Sequence, residues 1–148
     1  MLLIEKVLTL HASKIFHDTP EADLVELAGV MEEQHVEAGV QIFAKGDHGD
    51  SMYFVYKGKI RVHDEDHTFA VLEENEILGE LSILDGEPRS ASATALEETI
   101  LLKLEQEPFY EIMISNAEVL KGILKTLCRR LRQMDIKLVE NTAPKIGK

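Results

Sequence analysis

Residues 77–94 read Ile77-Leu78-Gly79-Glu80-Leu81-Ser82-Ile83-Leu84-Asp85-Gly86-Glu87-Pro88-Arg89-Ser90-Ala91-Ser92-Ala93-Thr94. The run opens as a strand, turns at Gly79 and offers about one helical turn. It breaks at Asp85-Gly86 and re-enters a strand after Pro88. A helix start leaves main-chain N–H groups without internal partners and carries a partial positive charge. Such a backbone can hold a phosphate. Gly79 lets a ligand approach the main chain closely. Arg89 closes the site with a planar, permanently charged fork, and Ser90 adds a hydroxyl and another N–H. Glu80 looks out of place beside a phosphate. An ionised carboxylate is a pure acceptor, however, and can receive a hydrogen bond from a sugar hydroxyl.

Around this run, from Gln34 to Leu104, short apolar stretches alternate with turn residues. Gln41–Ala44, Ser51–Tyr56, Lys59–His63, Thr68–Leu72 and Thr99–Leu104 read as strands. Gly39, Gly46, Gly49 and Gly58 punctuate them, and Asn75 serves a further turn. Many short strands at close spacing predict an antiparallel sandwich or barrel. Residues 1–33 read as N-terminal helices, with Thr19 as N-cap and Pro20 at the first helical position of the second. Residues 105–140 read as C-terminal helices, Pro108 in the first turn of one and Asn116 capping the next. In the last helix Leu120, Leu124, Leu127, Leu131, Met134 and Leu138 recur as a heptad seam. The tail 141–148 is expected to fray.

Composition narrows the function classes. The 148 residues suit one domain, with a core that must be aliphatic because only 5% are aromatic and none is Trp. A formal charge of −11 argues against nucleic acid as a partner. Cys128 is the only cysteine, so no internal disulfide forms, and a reducing, cytoplasmic location is expected. Nothing in the sequence reads as a membrane span or a signal peptide.

The segment 78–91 resembles the phosphate-binding cassette of the cyclic-nucleotide-binding domain family. The shared pattern is Gly79-Glu80-Leu81, a short helix, a turn, then Pro88-Arg89-Ser90-Ala91. The upstream run Gly39–Val62, with its Gly46-Asp47 and Gly58, is similar to the family as well. The resemblance implies a mainly β fold with flanking helices: an antiparallel jelly-roll β-barrel (double-stranded β-helix) between N-terminal helices and a C-terminal lid helix. It implies one domain over 1–148, with the barrel at 34–104. It implies that the Glu80 carboxylate binds the ribose 2′-hydroxyl and Arg89 the exocyclic phosphate oxygens, while Gly79, Leu81, Ser90 and Ala91 complete the cradle. Ser90 leans toward cAMP over cGMP, since Thr often follows the cassette Arg in cGMP binders. A base-facing lid is expected just after Arg129-Arg130-Leu131, at Leu131, Met134 and Asp135.

Other readings compete. Glu80 and Arg89 could form an ordinary salt bridge on a barrel rim. The heptad seam could pack on its own barrel or form a homodimer interface. His63 and His67 invite a metal site, but no His-x-His pair of the cupin kind occurs, so no metal is expected. No catalytic arrangement stands out, and no cofactor is expected beyond the nucleotide ligand. The leading reading is a cyclic-nucleotide sensor that moves its C-terminal helix and acts on a fused or separate effector. The alternative is a ligand-free scaffold for dimerisation or partner docking.

Overall fold

A computed structural model describes residues 1–142 of the chain. The expected frayed tail lies, from residue 143 on, outside the described residues. Two helices, α1 (Leu3–Ala12) and α2 (Glu21–Gly29), lead into eight strands. These are β1 (Glu32–Val36), β2 (Gln41–Phe43), β3 (Ser51–Lys57), β4 (Ile60–Asp64), β5 (His67–Leu72), β6 (Ile77–Leu78), β7 (Ser92–Ala95) and β8 (Thr99–Glu105). The short α3 (Glu80–Asp85) separates β6 from β7, and α4 (Gln106–Ser115) and α5 (Ala117–Thr142) follow β8.

The strands form two antiparallel four-stranded sheets, ordered β1-β8-β3-β6 and β2-β7-β4-β5. This is a jelly-roll sandwich with open edges, so the expected barrel is not closed. Alternation along β3 explains the layering. Tyr53 and Val55 point into the sandwich with Ile60, Ala93 and Leu101. Met52 and Phe54 point the other way, into a second core with Leu24, Leu27, Phe109 and Ile123 from the helices. A strand buried on both faces reads as a continuous apolar run, as Met52–Val55 does.

Two local readings shift. Helix α2 starts one residue later than expected: Pro20 occupies the cap position and its carbonyl accepts from the N–H groups of Asp23 and Leu24. Thr19 caps nothing; its hydroxyl is buried beside Gly122 without a hydrogen-bond partner. Asn116 does cap α5, its Oδ1 accepting from the Glu118 N–H at 3.1 Å.

The heptad seam is not the docked face of α5. The docked stripe is Val119, Ile123 and Thr126, all at most 4% exposed, whereas Leu120, Leu124, Leu131 and Met134 are 40–64% exposed. Leu127 alone of the described seam side chains packs against the core. The side chain of Leu138 lies outside the described residues. The two stripes lie side by side on one helix, so apolar spacing alone did not say which one meets the sandwich.

Candidate ligand-binding site

The cassette folds as read. Strand β6 ends at Leu78, Gly79 takes φ +82°, and α3 runs to the Gly86 turn at φ +72°. Gly79 is obligatory here: a Cβ would stand 2.4 Å from Arg89 Nη1, in a backbone conformation side chains resist. The upstream glycine frame holds the other end. The Gly46 N–H donates to the Arg89 carbonyl and the Arg89 N–H donates to the Asp47 carbonyl, both at 2.8 Å. The Lys45-Gly46-Asp47 turn thus fixes the main chain from which Arg89 projects.

Arg89 is 5% exposed. Its Nη2 donates to the Ser51 carbonyl at 2.7 Å and, more weakly, to Ser51 Oγ, and its Nη1 donates to the Gly79 carbonyl. The guanidinium lies over the Phe43 ring, 4.2 Å from the centroid, a stacking that Arg suits. Its Nε is buried with no hydrogen-bond partner. No ion pair among the described residues includes Arg89. Burial pulls its pKa down, with Tyr53, Asp50 and Asp47 pulling the other way. This leaves a buried cation held by carbonyls and a ring, with one donor unspent and no carboxylate paired to it among the described residues.

Beside it opens a cavity of about 240 Å³. Gly79, Glu80, Arg89, Ser90 and Ala91 line it, so five of the six expected cradle residues converge. The backbone of Leu81 lies in α3. Val62, Ala70 and Leu72 supply an apolar wall, which suits the flat face of a base.

Glu80 does not bridge to Arg89. Its Oε1 faces Arg130 Nη1 of α5 at 3.5 Å. The rim salt bridge considered between the two cassette residues is therefore absent. Leu131, Met134 and Asp135 are exposed and do not line the cavity. Sequence reasoning missed three contributors: Phe43, Ser51 and Arg130. Arg130 follows Ile123 and Thr126 at helical spacing, but only burial in the structure marks that stripe as the docked one. Nothing in the sequence marks the Ser51 carbonyl.

Residues 33–116 match the model of the family described as the cyclic nucleotide-binding domain. The chain belongs to that family. It is 33% identical over 131 residues to a cyclic AMP receptor protein from Thermus thermophilus, covering 85% of this chain and 61% of that one. It is 33% identical to a cyclic nucleotide-gated potassium channel from Rhizobium etli, covering 80% of this chain and 33% of the channel. The chain thus spans 61% or less of the length of these two curated relatives. In fold it matches the N-terminal domain of a transcriptional regulator from Streptomyces coelicolor, with TM-score 0.78 and 33% identity over 85% of this chain and 94% of that one. The regulatory domain of Toxoplasma gondii PKA, solved with cAMP, matches with TM-score 0.71 and 26% identity over 74% of this chain and 44% of that one. A cyclic nucleotide-binding domain of this family therefore accounts for both the cassette and the sandwich that carries it. Among the described residues no group of three His, Cys, Asp or Glu could hold a metal. None of their helices is long and apolar enough to cross a membrane.

Proposed function

We propose that this domain binds cAMP and relays occupancy to α5. The observation that carries the proposal is Arg89: a buried guanidinium without a carboxylate, with an unspent donor, in the wall of a cavity that also presents Glu80. A cyclic phosphate carries a single negative charge, which one guanidinium matches. The ribose hydroxyl donates to Glu80, and the base lies against Val62, Ala70 and Leu72. Ser90 after Arg89 favours cAMP over cGMP, and the T. gondii relative was solved with cAMP.

The relay runs through Glu80. Its carboxylate faces Arg130 on α5, so a sugar hydroxyl that engages Glu80 alters the tie between α3 and α5. The resulting change is a population shift between two arrangements of the helix. The lid role of Leu131, Met134 and Asp135 belongs to the arrangement in which α5 closes on the base. The exposed seam supports a homodimer through α5. A fused or separate effector in the cytoplasm receives the signal.

Titration calorimetry with cAMP tests the site. Arg89→Ala should cost about 2–5 kcal/mol, roughly 30-fold to several-thousand-fold in Kd. Near-wild-type affinity in that variant, with circular dichroism unchanged, would overturn the phosphate assignment. A thermal midpoint that neither cAMP nor cGMP raises supports the scaffold reading instead.

A further inference from the structure

The two sheets leave four edges, on β1, β6, β2 and β5. Natural sheets guard their edges with charge, shortness or irregularity, because an open edge is a template for another strand. Three of the four are guarded by charge or by shortness. β6 has two residues, and β2 has three with a break in register. β1 carries Glu32 and Glu33, the latter held by the Met1 amino group at 3.0 Å. β5 is neither short nor charged, and its one irregularity is a register shift against β4 at Phe69, the residue left between the partners of Val62 and His63. His67-Thr68-Phe69-Ala70-Val71-Leu72 is six residues long and contains no Asp, Glu, Lys, Arg, Pro or Gly. Residues 67–71 are all exposed, Phe69 at 55% and Val71 at 45%. Among the described residues no strand pairs with its outer side.

The ends of β5 say what would sit there. The turn before it is Asp64-Glu65-Asp66, and the turn after it is Glu73-Glu74-Asn75-Glu76. Lys45 pairs with Asp64 at 2.7 Å and Lys59 with Glu73 at 3.7 Å. Glu65, Asp66, Glu74 and Glu76 enter no ion pair among the described residues. A second copy added at this edge would set acidic turns against acidic turns, in either strand direction, and like charges across a strand pair repel. A strand with Lys or Arg at both ends and an apolar, β-branched middle would be drawn to the same edge.

We propose that the outer edge of β5 is a strand-addition site for an extended, basic-flanked segment of a different protein. Main-chain hydrogen bonds supply the attachment, Phe69 and Val71 supply apolar contact, and the acidic turns select the charge of the partner.

The experiment uses the full chain, labelled with nitrogen-15, and the synthetic peptide Lys-Lys-Val-Thr-Val-Thr-Val-Lys-Lys as probe. Amide exchange at residues 67–72 should slow at least tenfold on saturation. Phe69→Lys, which places a charge on the edge, should weaken peptide affinity at least tenfold. The pair Glu65→Lys and Asp66→Lys, outside the strand, should weaken this peptide and strengthen one flanked by Glu. A peptide with Pro at its centre should lose binding. Overturning results are protection absent from 67–72, equal binding of the Glu-flanked or Pro-centred peptide, or no effect of Phe69→Lys. Concentration-dependent protection of 67–72 without any peptide would also overturn it, by making a second copy the occupant.

Discussion

Glu80 Oε1 and Arg130 Nη1 stand 3.5 Å apart and join the start of α3 to the middle of α5. Both side chains are partly buried, at 21% and 34% exposure, so water and salt screen the pair only in part. Under the proposed function, the tie would place Glu80 in competition between the ligand sugar and α5.

Arg130→Met should therefore loosen α5 without disturbing the sandwich. A partly exposed pair is worth at most about 1 kcal/mol, so amide exchange beyond Thr126 should rise roughly 2–5-fold. Glu80→Gln should produce the same rise, and the double variant should add little to either. Independent, additive increases would show that the two residues are not coupled.

Glu80→Gln should also weaken cAMP binding by about 1.5–3 kcal/mol, through loss of one charged acceptor. The 2′-deoxy analogue should be nearly indifferent to the same change. Calorimetry with both ligands separates the outcomes, and an equal loss for the two would refute the pairing of Glu80 with the 2′-hydroxyl.

Gly79→Ala should remove most nucleotide affinity while the chain remains folded. The added Cβ would stand 2.4 Å from Arg89 Nη1 and 3.0 Å from the Ser51 carbonyl, so the guanidinium must leave its seat. A loss of at least 30-fold, about 2 kcal/mol, is expected by calorimetry. Retained affinity would mean that Arg89 binds ligand from a different position.

Tyr110 on α4 donates its hydroxyl to the Ile83 carbonyl at 2.6 Å and reaches the Leu84 carbonyl at 3.3 Å. These are carbonyls that the last turn of α3 leaves without helical partners. Tyr110→Phe should cost about 1 kcal/mol, seen as a drop of roughly 2–4 °C in Tm. An unchanged Tm would show that water replaces the phenol there.

The N-terminal helix is tied to the sandwich by Tyr56, whose hydroxyl donates to Glu5 at 2.6 Å. That bond, with the Leu2 N–H next, holds the Glu5 carboxyl below its ordinary value of 4.5. A depressed carboxyl stabilises the fold above its unfolded pKa and ceases to do so as pH falls through the folded value. Acidification from about pH 5.5 to about 3 should lower the Tm of the natural chain more than that of Tyr56→Phe. Parallel acid curves would remove this contact from the pH response.

Much of the site was legible because local chemistry dictates it. Gly79, Glu80, Arg89, Ser90 and Ala91 sit within one short segment whose turn, helix and strand are set by neighbours in sequence, and all five line the cavity. Most strands were legible for the same reason, since alternation and turn glycines act over a few residues; β1 (Glu32–Val36) was not, because four of its five residues are polar and residues 32–33 read as the end of the helices. Arg130 and Phe43 reach the site from 41 positions after Arg89 and 46 before it, and spacing within one element does not report such meetings.

By itself, then, the sequence determined the helix–strand–helix order of the chain, the cassette and a net charge of −11. Each follows from residue chemistry acting over a few positions or over the whole composition. Tertiary structure alone decided that the sheets stay open, that Arg89 is a buried cation without a carboxylate, and that Glu80 faces α5. It also decided that the docked stripe of α5 is Val119, Ile123 and Thr126 while the leucine seam faces outward. Two stripes on one helix have similar apolar periodicity, and only the shape of the surface they meet chooses between them.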